Sequence, residues 1–432
     1  MALNRNQINI IFAVIFSITL LVAVFIFGWR GIQEKPPEVT LNIWGLEDRF
    51  NFQDNIFGYE SLRSNVHVNY QERNPETFEK DVVNALAAGT GPDIIMFHNT
   101  WLLKHFNKIV PLKDEQLNKT SFRELYPTVV EQDFAPQDKI YALPLYIDTL
   151  ALFYNQDTFD KKGVAVTPKD WLDFQNLVPK LIEKDSFGKI TKPAAAIGGS
   201  EDNIDNAADV ALLLMLQAGA KMTNEDFSAA TFAQNVNTLS PGLDALTFYS
   251  KFTNPNDIYY TWNSDLEDSS DSFSRGNAAM IFNYASKQKE IKSKNPFLNF
   301  KVAEMPQPSG SDKAVNYPNY WGLTVTNNSD NPDWAWDYIL YTTANEFAAE
   351  KYLLASENPP ALRSLIQKYV DHPEFGVFAK QALSARSWLQ IDKDKISEII
   401  SEMINATNSK QLNANAALYQ AEQQVTQLMR AN

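Results

Sequence analysis

Along most of the chain, apolar positions recur with one of two periods. Val39–Trp44 (VTLNIW) and Val66–Tyr70 (VHVNY) alternate apolar and polar residues, the period-two signature of a half-buried strand. Between them, Asp54–Arg63 reads as a helix. In Pro75–Ala88, Phe78, Val82, Val83 and Leu86 fall at helical spacing, and Gly89-Thr90-Gly91-Pro92 then stops the helix. Asp93–Phe97 (DIIMF) is a short apolar run, expected as a buried strand. Strand, helix and strand at this spacing predict βαβ units and a largely parallel sheet.

Further on, Asn99–Phe106 starts like a helix, and Lys139–Tyr141 and Leu150–Tyr154 read as strands. Helices are expected over Pro168–Glu183, Asn206–Ala218 and Pro241–Phe252. Ala278–Phe282, Phe300–Ala303 and Gly322–Thr326 are strand-like. Beyond Pro332 the pattern is helical, over Trp334–Tyr341, Ala344–Leu354, Lys395–Ala406 and Ala414–Met429.

A different pattern opens the chain. Ile8–Gly28 carries no charge and one isolated polar amide, Asn9. About 20 apolar residues suffice to span a bilayer as a helix. A cleaved signal peptide has a shorter apolar region and a small-residue cleavage site, and Phe27-Gly28-Trp29-Arg30 offers no such site. An uncleaved N-terminal transmembrane anchor is therefore expected, with Trp29 and Arg30 at the interface and Lys35-Pro36-Pro37-Glu38 as a stiff linker. Flanking charge is nearly balanced and does not orient the span.

Composition narrows the function classes. The 432 residues exceed one ordinary core and predict two to three domains. A net charge of −14 with no basic run argues against nucleic acid. The absence of cysteine excludes disulfides, thiolate metal sites, a Cys nucleophile and a lipid-modified cysteine anchor. No dinucleotide fingerprint, P-loop, HExxH zinc motif or GxSxG elbow occurs. The four histidines, His67, His98, His105 and His372, are scattered; His98 could approach a cleft but has no sequence partner. Tyr259-Tyr260 could bind ferric iron, but two strand or loop aromatics are the plainer reading. Glu267, Asp268 and Asp271 miss the EF-hand spacing and read as a solvated acidic loop. No cofactor and no metal site are expected.

Four segments together resemble the family-1 extracellular solute-binding proteins, which include the maltodextrin-binding proteins. They are Asn84–Phe97 (NALAAGTGPDIIMF), Lys139–Asn155 (KIYALPLYIDTLALFYN), Phe273–Asn283 (FSRGNAAMIFN) and Tyr320–Tyr341 (YWGLTVTNNSDNPDWAWDYILY). The resemblance implies an α/β, periplasmic-binding-protein-like two-lobed fold of type II behind the transmembrane helix. Residues 1–37 would form anchor and linker, 38–147 the first lobe, 148–277 the second, 278–325 a return to the first, and 326–432 the helical end of the second. Crossings would fall near Tyr146–Leu150, Gly276–Ala278 and Thr324–Asn328.

The same resemblance implies the extracytoplasmic component of an ABC importer at the cell membrane. It would be a monomer, not an enzyme, that binds a carbohydrate between its lobes and delivers it to permease subunits. Asp148 matches an acidic sugar ligand of the family; the alternative is a hinge carboxylate bonded to backbone N–H groups. Trp321, with Tyr320, would stack on a pyranose, or be core. Asn99, Thr100 and Trp101 follow a strand's carboxyl end, where open α/β sheets bind ligands, though Asn99 or Thr100 could equally cap a helix. Asn283 and Tyr284 follow another strand. Glu47 follows the first. Asp202, Trp262 and Trp388 are the second-lobe candidates. Rival classes are a binder of a polyol, glycerol phosphate or ferric iron, a glycosidase with two carboxylates about 5–9.5 Å apart, and a tethered sensor that does not transport.

Overall fold

The computed structural model describes Asn4 and residues 14–20, 22 and 37–431. The expected anchor, Ile8–Gly28, lies largely outside them; among the described residues no helix is long and apolar enough to cross a membrane.

Among the described residues thirteen strands follow in order: β1 Val39–Gly45, β2 Val66–Glu72, β3 Ile94–His98, β4 Ile109–Val110, β5 Leu143–Pro144, β6 Asp148–Thr149, β7 Ala151–Asn155, β8 Glu183–Lys184, β9 Ile190–Lys192, β10 Met280–Asn283, β11 Phe300–Ala303, β12 Pro318–Asn319 and β13 Trp321–Thr326. The first lobe is built on a sheet in the order β2-β1-β3-β13-β4, with β5 also on β13. β1 runs parallel to β2 and β3, so the βαβ expectation holds there. β13 is antiparallel to β3, β4 and β5, which makes the sheet mixed. β3, the central strand, is buried along its length, as its unbroken apolar run requires. In β1 the alternation shows directly: Val39, Leu41 and Ile43 are buried and Thr40 is exposed. Gly322 permits the β5–β13 approach, since a Cβ there would meet the Leu143 carbonyl oxygen at 2.4 Å.

The second lobe carries an antiparallel sheet, β10-β7-β11, flanked by helices that include Trp171–Leu181, Ala207–Gln217, Pro241–Ser250, Lys393–Asn408 and Ala414–Ala431. β8 and β9 form a small separate hairpin.

The chain changes core where the apolar clusters change. Residues up to Ile147 pack in the first core and Leu150 in the second. Tyr317 packs in the second and Tyr320 in the first; Ala385 packs in the first and Trp388 in the second. The first change of core falls between Ile147 and Leu150. The other two lie at 317–320 and 385–388, not near Gly276–Ala278 and Thr324–Asn328. The segment 278–317 therefore packs mainly with the second lobe, because β10 and β11 both pair with β7. The helices from Pro332–Ala344 to Arg363–Tyr369 pack on the first lobe, where Trp336, Tyr338 and Ile339 close its core.

Two of the three crossings are one object. β6 and β12 form a short antiparallel ladder, with Asp148 opposite Asn319 and Thr149 opposite Pro318. The third crossing lies beside it through a bridge between Asn316 and Ala385. Gln381 binds this hinge from the helix Gly376–Ala382: its amide nitrogen donates to Thr149 Oγ1 and Leu150 O, each at 2.9 Å, and its Oε1 accepts from Met305 N–H at 2.7 Å.

Candidate functional site: the cleft beside the hinge

Two cavities open between the lobes off the carboxyl ends of β1 and β3. One, of about 310 Å³, has an aromatic wall from the first lobe, Asn319 of the hinge, and Asp392–Asp394 of the second lobe. Trp321, the first residue of β13, sits opposite His98, the last of β3. That register places Trp321 5.1 Å from Trp101 and 4.9 Å from His98, ring centre to ring centre, both edge-on. Phe78 stacks on Trp101 at 5.9 Å. The rings fix one another's orientation and leave apolar faces lining the cavity.

His98 holds this wall to the hinge. Its Nδ1 accepts from Thr100 N–H at 3.3 Å and lies 2.8 Å from Thr100 Oγ1; its Nε2 donates to Asn319 Oδ1 at 2.7 Å. Burial, with the positive charge of Lys393 adding to it, holds its pKa down to about 3. The ring is therefore neutral and serves as an oriented hydrogen-bonding group.

An ion cluster spans the mouth of the cavity. Lys104 Nζ lies 2.8 Å from Glu79 in its own lobe and 2.7 Å from Asp392 in the other. His105 Nε2 is 2.7 Å from the same Glu79 oxygen. Burial alone would raise the Glu79 carboxyl, but hydrogen bonds from His105 and Lys104 outweigh it and hold its pKa at about 2. Asp392 also caps the helix Lys393–Asn408, accepting from Lys395 N–H at 3.1 Å. One lysine thus joins the lobes and anchors to a helix N-terminus.

The second cavity, of about 230 Å³, is ionic. Glu47, Asp48 and Asn51 face Ser286, Lys289 and Lys292 across the lobes. Lys289 reaches Glu357 at 3.2 Å and Lys292 pairs with Glu374.

The expected residues divide by what their polar atoms already do. Trp101 and Trp321 line the aromatic cavity and Glu47 the ionic one. The Glu47 carboxylate already accepts from Tyr352 Oη, Asn358 Nδ2 and Asn51 Nδ2. Asp148 is 2% exposed, and its carboxylate accepts from the backbone N–H groups of Thr149, Ala285 and Ser286 at 2.8, 2.9 and 3.2 Å. That is the hinge-carboxylate geometry. Burial pushes its pKa up to about 7 against those three hydrogen bonds.

Other candidates are drawn inward. Tyr320 is fully buried, and its hydroxyl donates to Asp133 at 2.8 Å. Asn99 also donates to Asp133 and receives Tyr320 N–H. Thr100 is buried against His98. Asn283 accepts from Tyr284 N–H and Asn206 Nδ2, and the Tyr284 hydroxyl donates to Asp209 at 2.7 Å. Trp262 is fully buried with its indole N–H on Asn203 Oδ1. Trp388 lies at the third crossing and lines a crevice with Gln132, Leu216 and Met222, away from the aromatic wall. Asp202 lies at a separate cavity within the second lobe. A polar residue just past a strand end faces either the cleft or the neighbouring loop, and sequence spacing is the same for both.

Sequence reasoning missed Phe78, Glu79, Lys104, Asn319 and Asp392–Asp394. Phe78 has the spacing of a core residue and is one, 1% exposed and stacked behind Trp101. The Asp392-x-x-Lys395 start of a helix was a readable cap, but its partner Lys104 is 288 residues away.

The model of the family "bacterial extracellular solute-binding protein" matches residues 48–351. A binding protein of Brucella abortus (strain 2308) is 22% identical over 314 residues, 69% of this chain and 70% of that protein. The galactooligosaccharide-binding protein of Bacillus subtilis (strain 168) is 26% identical over 149 residues, 34% of each chain. Among solved structures, the cyclic α-maltosyl-1,6-maltose binding protein of Arthrobacter globiformis superposes with a TM-score of 0.76 at 16% identity, over 91% of this chain and 100% of that one. The sugar-binding protein of Xanthomonas citri gives 0.75 at 17%, over 91% and 98%. These structures share the two-lobed α/β fold described above. With the family model covering most of its length, this chain belongs to the bacterial extracellular solute-binding proteins.

Proposed function

We propose that the chain is the extracytoplasmic substrate-binding component of an ABC importer, and that it captures an uncharged carbohydrate in the aromatic cavity beside the hinge. The observation that carries this reading is the wall of Trp101 and Trp321, backed by the buried Phe78 and set between polar groups of both lobes. A pyranose has an apolar face that an indole can cover and a rim of hydroxyls. Asn319, Glu76, Asp394 and Lys393 are placed to meet that rim. The solved relatives named above bind, by their names, maltose-derived or other sugars.

Capture would proceed with the lobes apart and closure would pivot on the β6–β12 ladder. A ligand favours closure only by binding the closed form better. Lys104 and Asp392, meeting across the mouth, would add to that difference. The loaded protein would then hand its sugar to membrane permease subunits, with Ile8–Gly28 as the tether. No step of this sequence makes or breaks a covalent bond of the ligand, so the protein would act as a binder and not as an enzyme.

A thermal-shift screen of mono- and oligosaccharides, polyols, amino acids and ferric iron tests this. At about 100 times its dissociation constant a ligand adds roughly 2.7 kcal/mol of stability. A shift with one saccharide class, reduced in Trp321→Ala and without turnover of the sugar, supports the reading. A shift with iron or an amino acid alone, or consumption of the sugar, rejects it.

A further inference from the structure

Asp202 was singled out in the sequence, yet it lies outside the cleft. It lines a cavity of about 730 Å³ held wholly within the second lobe. The walls come from the loop Gly199–Asn203, from Asn263 and Ser264, and from the last two turns of the helix Lys393–Asn408 with the residues after it. This volume is within the range of small-molecule sites, about 300–1,000 Å³.

Beside Gly199, Ala406 and Leu412, the lining side chains are polar. Asn405, Asn408, Gln411 and Gln420 each offer an amide, which both donates and accepts, and Asp202 and Glu402 add acceptors. No lysine or arginine lines it. Part of this set is already oriented by the protein. The Asp202 carboxylate accepts from Ser200 Oγ at 2.9 Å and from Asn405 Nδ2 at 3.0 Å. Asn408 Nδ2 donates to Gly198 O at 2.7 Å, while its Oδ1 is buried with no hydrogen-bond partner among the described residues. Buried acceptors in folded proteins are nearly always met by a donor. Asn203, by contrast, is spent inside the wall: it binds the carbonyls of Asn263 and Leu266 and the indole of Trp262. Gly199 allows that wall to pack, since a Cβ there would meet Ile204 at 2.9 Å and Trp262 at 3.2 Å.

We infer that this second-lobe cavity is a separate binding site for a small uncharged polyhydroxylated ligand, a monosaccharide, disaccharide or polyol. Mixed donors and acceptors without a cation suit hydroxyls and reject phosphates and carboxylates. All its walls belong to one lobe, so occupancy is independent of hinge closure and of the aromatic cavity.

The test uses the full chain in a detergent without sugar head groups, with glucose, maltose, sorbitol and myo-inositol as probes in ligand-observed NMR titrations. Wild type is compared with Trp321→Ala, and with Asn405→Leu and Asn408→Leu each placed on that background. The expected result is a probe that still binds Trp321→Ala and weakens about tenfold with either leucine. Asn405 is exposed, so its leucine variant leaves folding intact and decides the matter if Asn408→Leu does not fold. If no probe binds the Trp321→Ala chain, or if binding is indifferent to Asn405→Leu, the second site does not exist.

Discussion

The two cavities between the lobes share a position and differ in kind. In the aromatic one, the rings of Trp101 and Trp321 line free volume, and the ions stand at its mouth. In the ionic one, the most buried carboxylate, Glu47, is already met by a tyrosine and two asparagines, and the lysines pair across an exposed surface. The same hinge therefore borders a cavity lined by unspent ring surface and one where the lobes hold each other. Polar residues pointing into a cleft do not distinguish the two; unspent surface does.

The largest expected effect sharpens this contrast at the hinge itself. Asp148→Ala leaves three backbone N–H groups without their acceptor and should cost about 3 kcal/mol of stability in denaturant melts. An unchanged melt with lost sugar affinity would instead make Asp148 a ligand. Next, Trp321→Ala should weaken binding by about 2 kcal/mol, or roughly thirtyfold, while Glu47→Gln should lower the melting temperature and leave affinity unchanged. Equal loss of affinity in both would erase the distinction between the cavities.

Smaller still is Lys104→Met. The pair is partly exposed, so breaking it should cost about 1 kcal/mol of affinity and reduce the salt dependence of binding. The exposed Lys292→Met should do less.

The pH dependence separates the two kinds of carboxyl. Glu79 is held below its ordinary 4.5, at about 2, so the stability it contributes is present above 4.5 and is lost as pH falls toward 2. Asp133 and Asp148 are raised by burial from 3.8 to about 7, so they bind protons more tightly when folded. Their contribution falls as pH rises from 3.8 to about 7 and is flat above. Asp148→Asn should remove part of that slope from pH-dependent melts, and Glu79→Gln should leave it intact.

By itself the sequence determined many of the elements and the family, although Lys139–Tyr141, expected as a strand, is irregular and the strand beside it is Leu143–Pro144. The strand at Phe300–Ala303 has the expected bounds, and the helices expected at Ala344–Leu354 and Ala414–Met429 lie within two residues at each end. Local period and stop signals act over a few residues, so they are written where they act. The expected crossings came from the family resemblance and not from local pattern. Trp101 and Trp321 were legible as large aromatics at strand ends. What tertiary structure decided was pairing. Met280–Asn283 could serve either lobe's sheet, and its antiparallel match to β7 sent 278–317 to the second. Tyr320 and Trp321 are neighbours with opposite fates because alternate residues of a strand face opposite sides, and only the packed sheet shows which side is core. Lys104 met Asp392, and Asp148 met Ala285 and Ser286, through contacts 288 and 137–138 residues apart. Such contacts leave no periodic trace, because what selects them is the shape of two lobes brought together and not the order of residues in either.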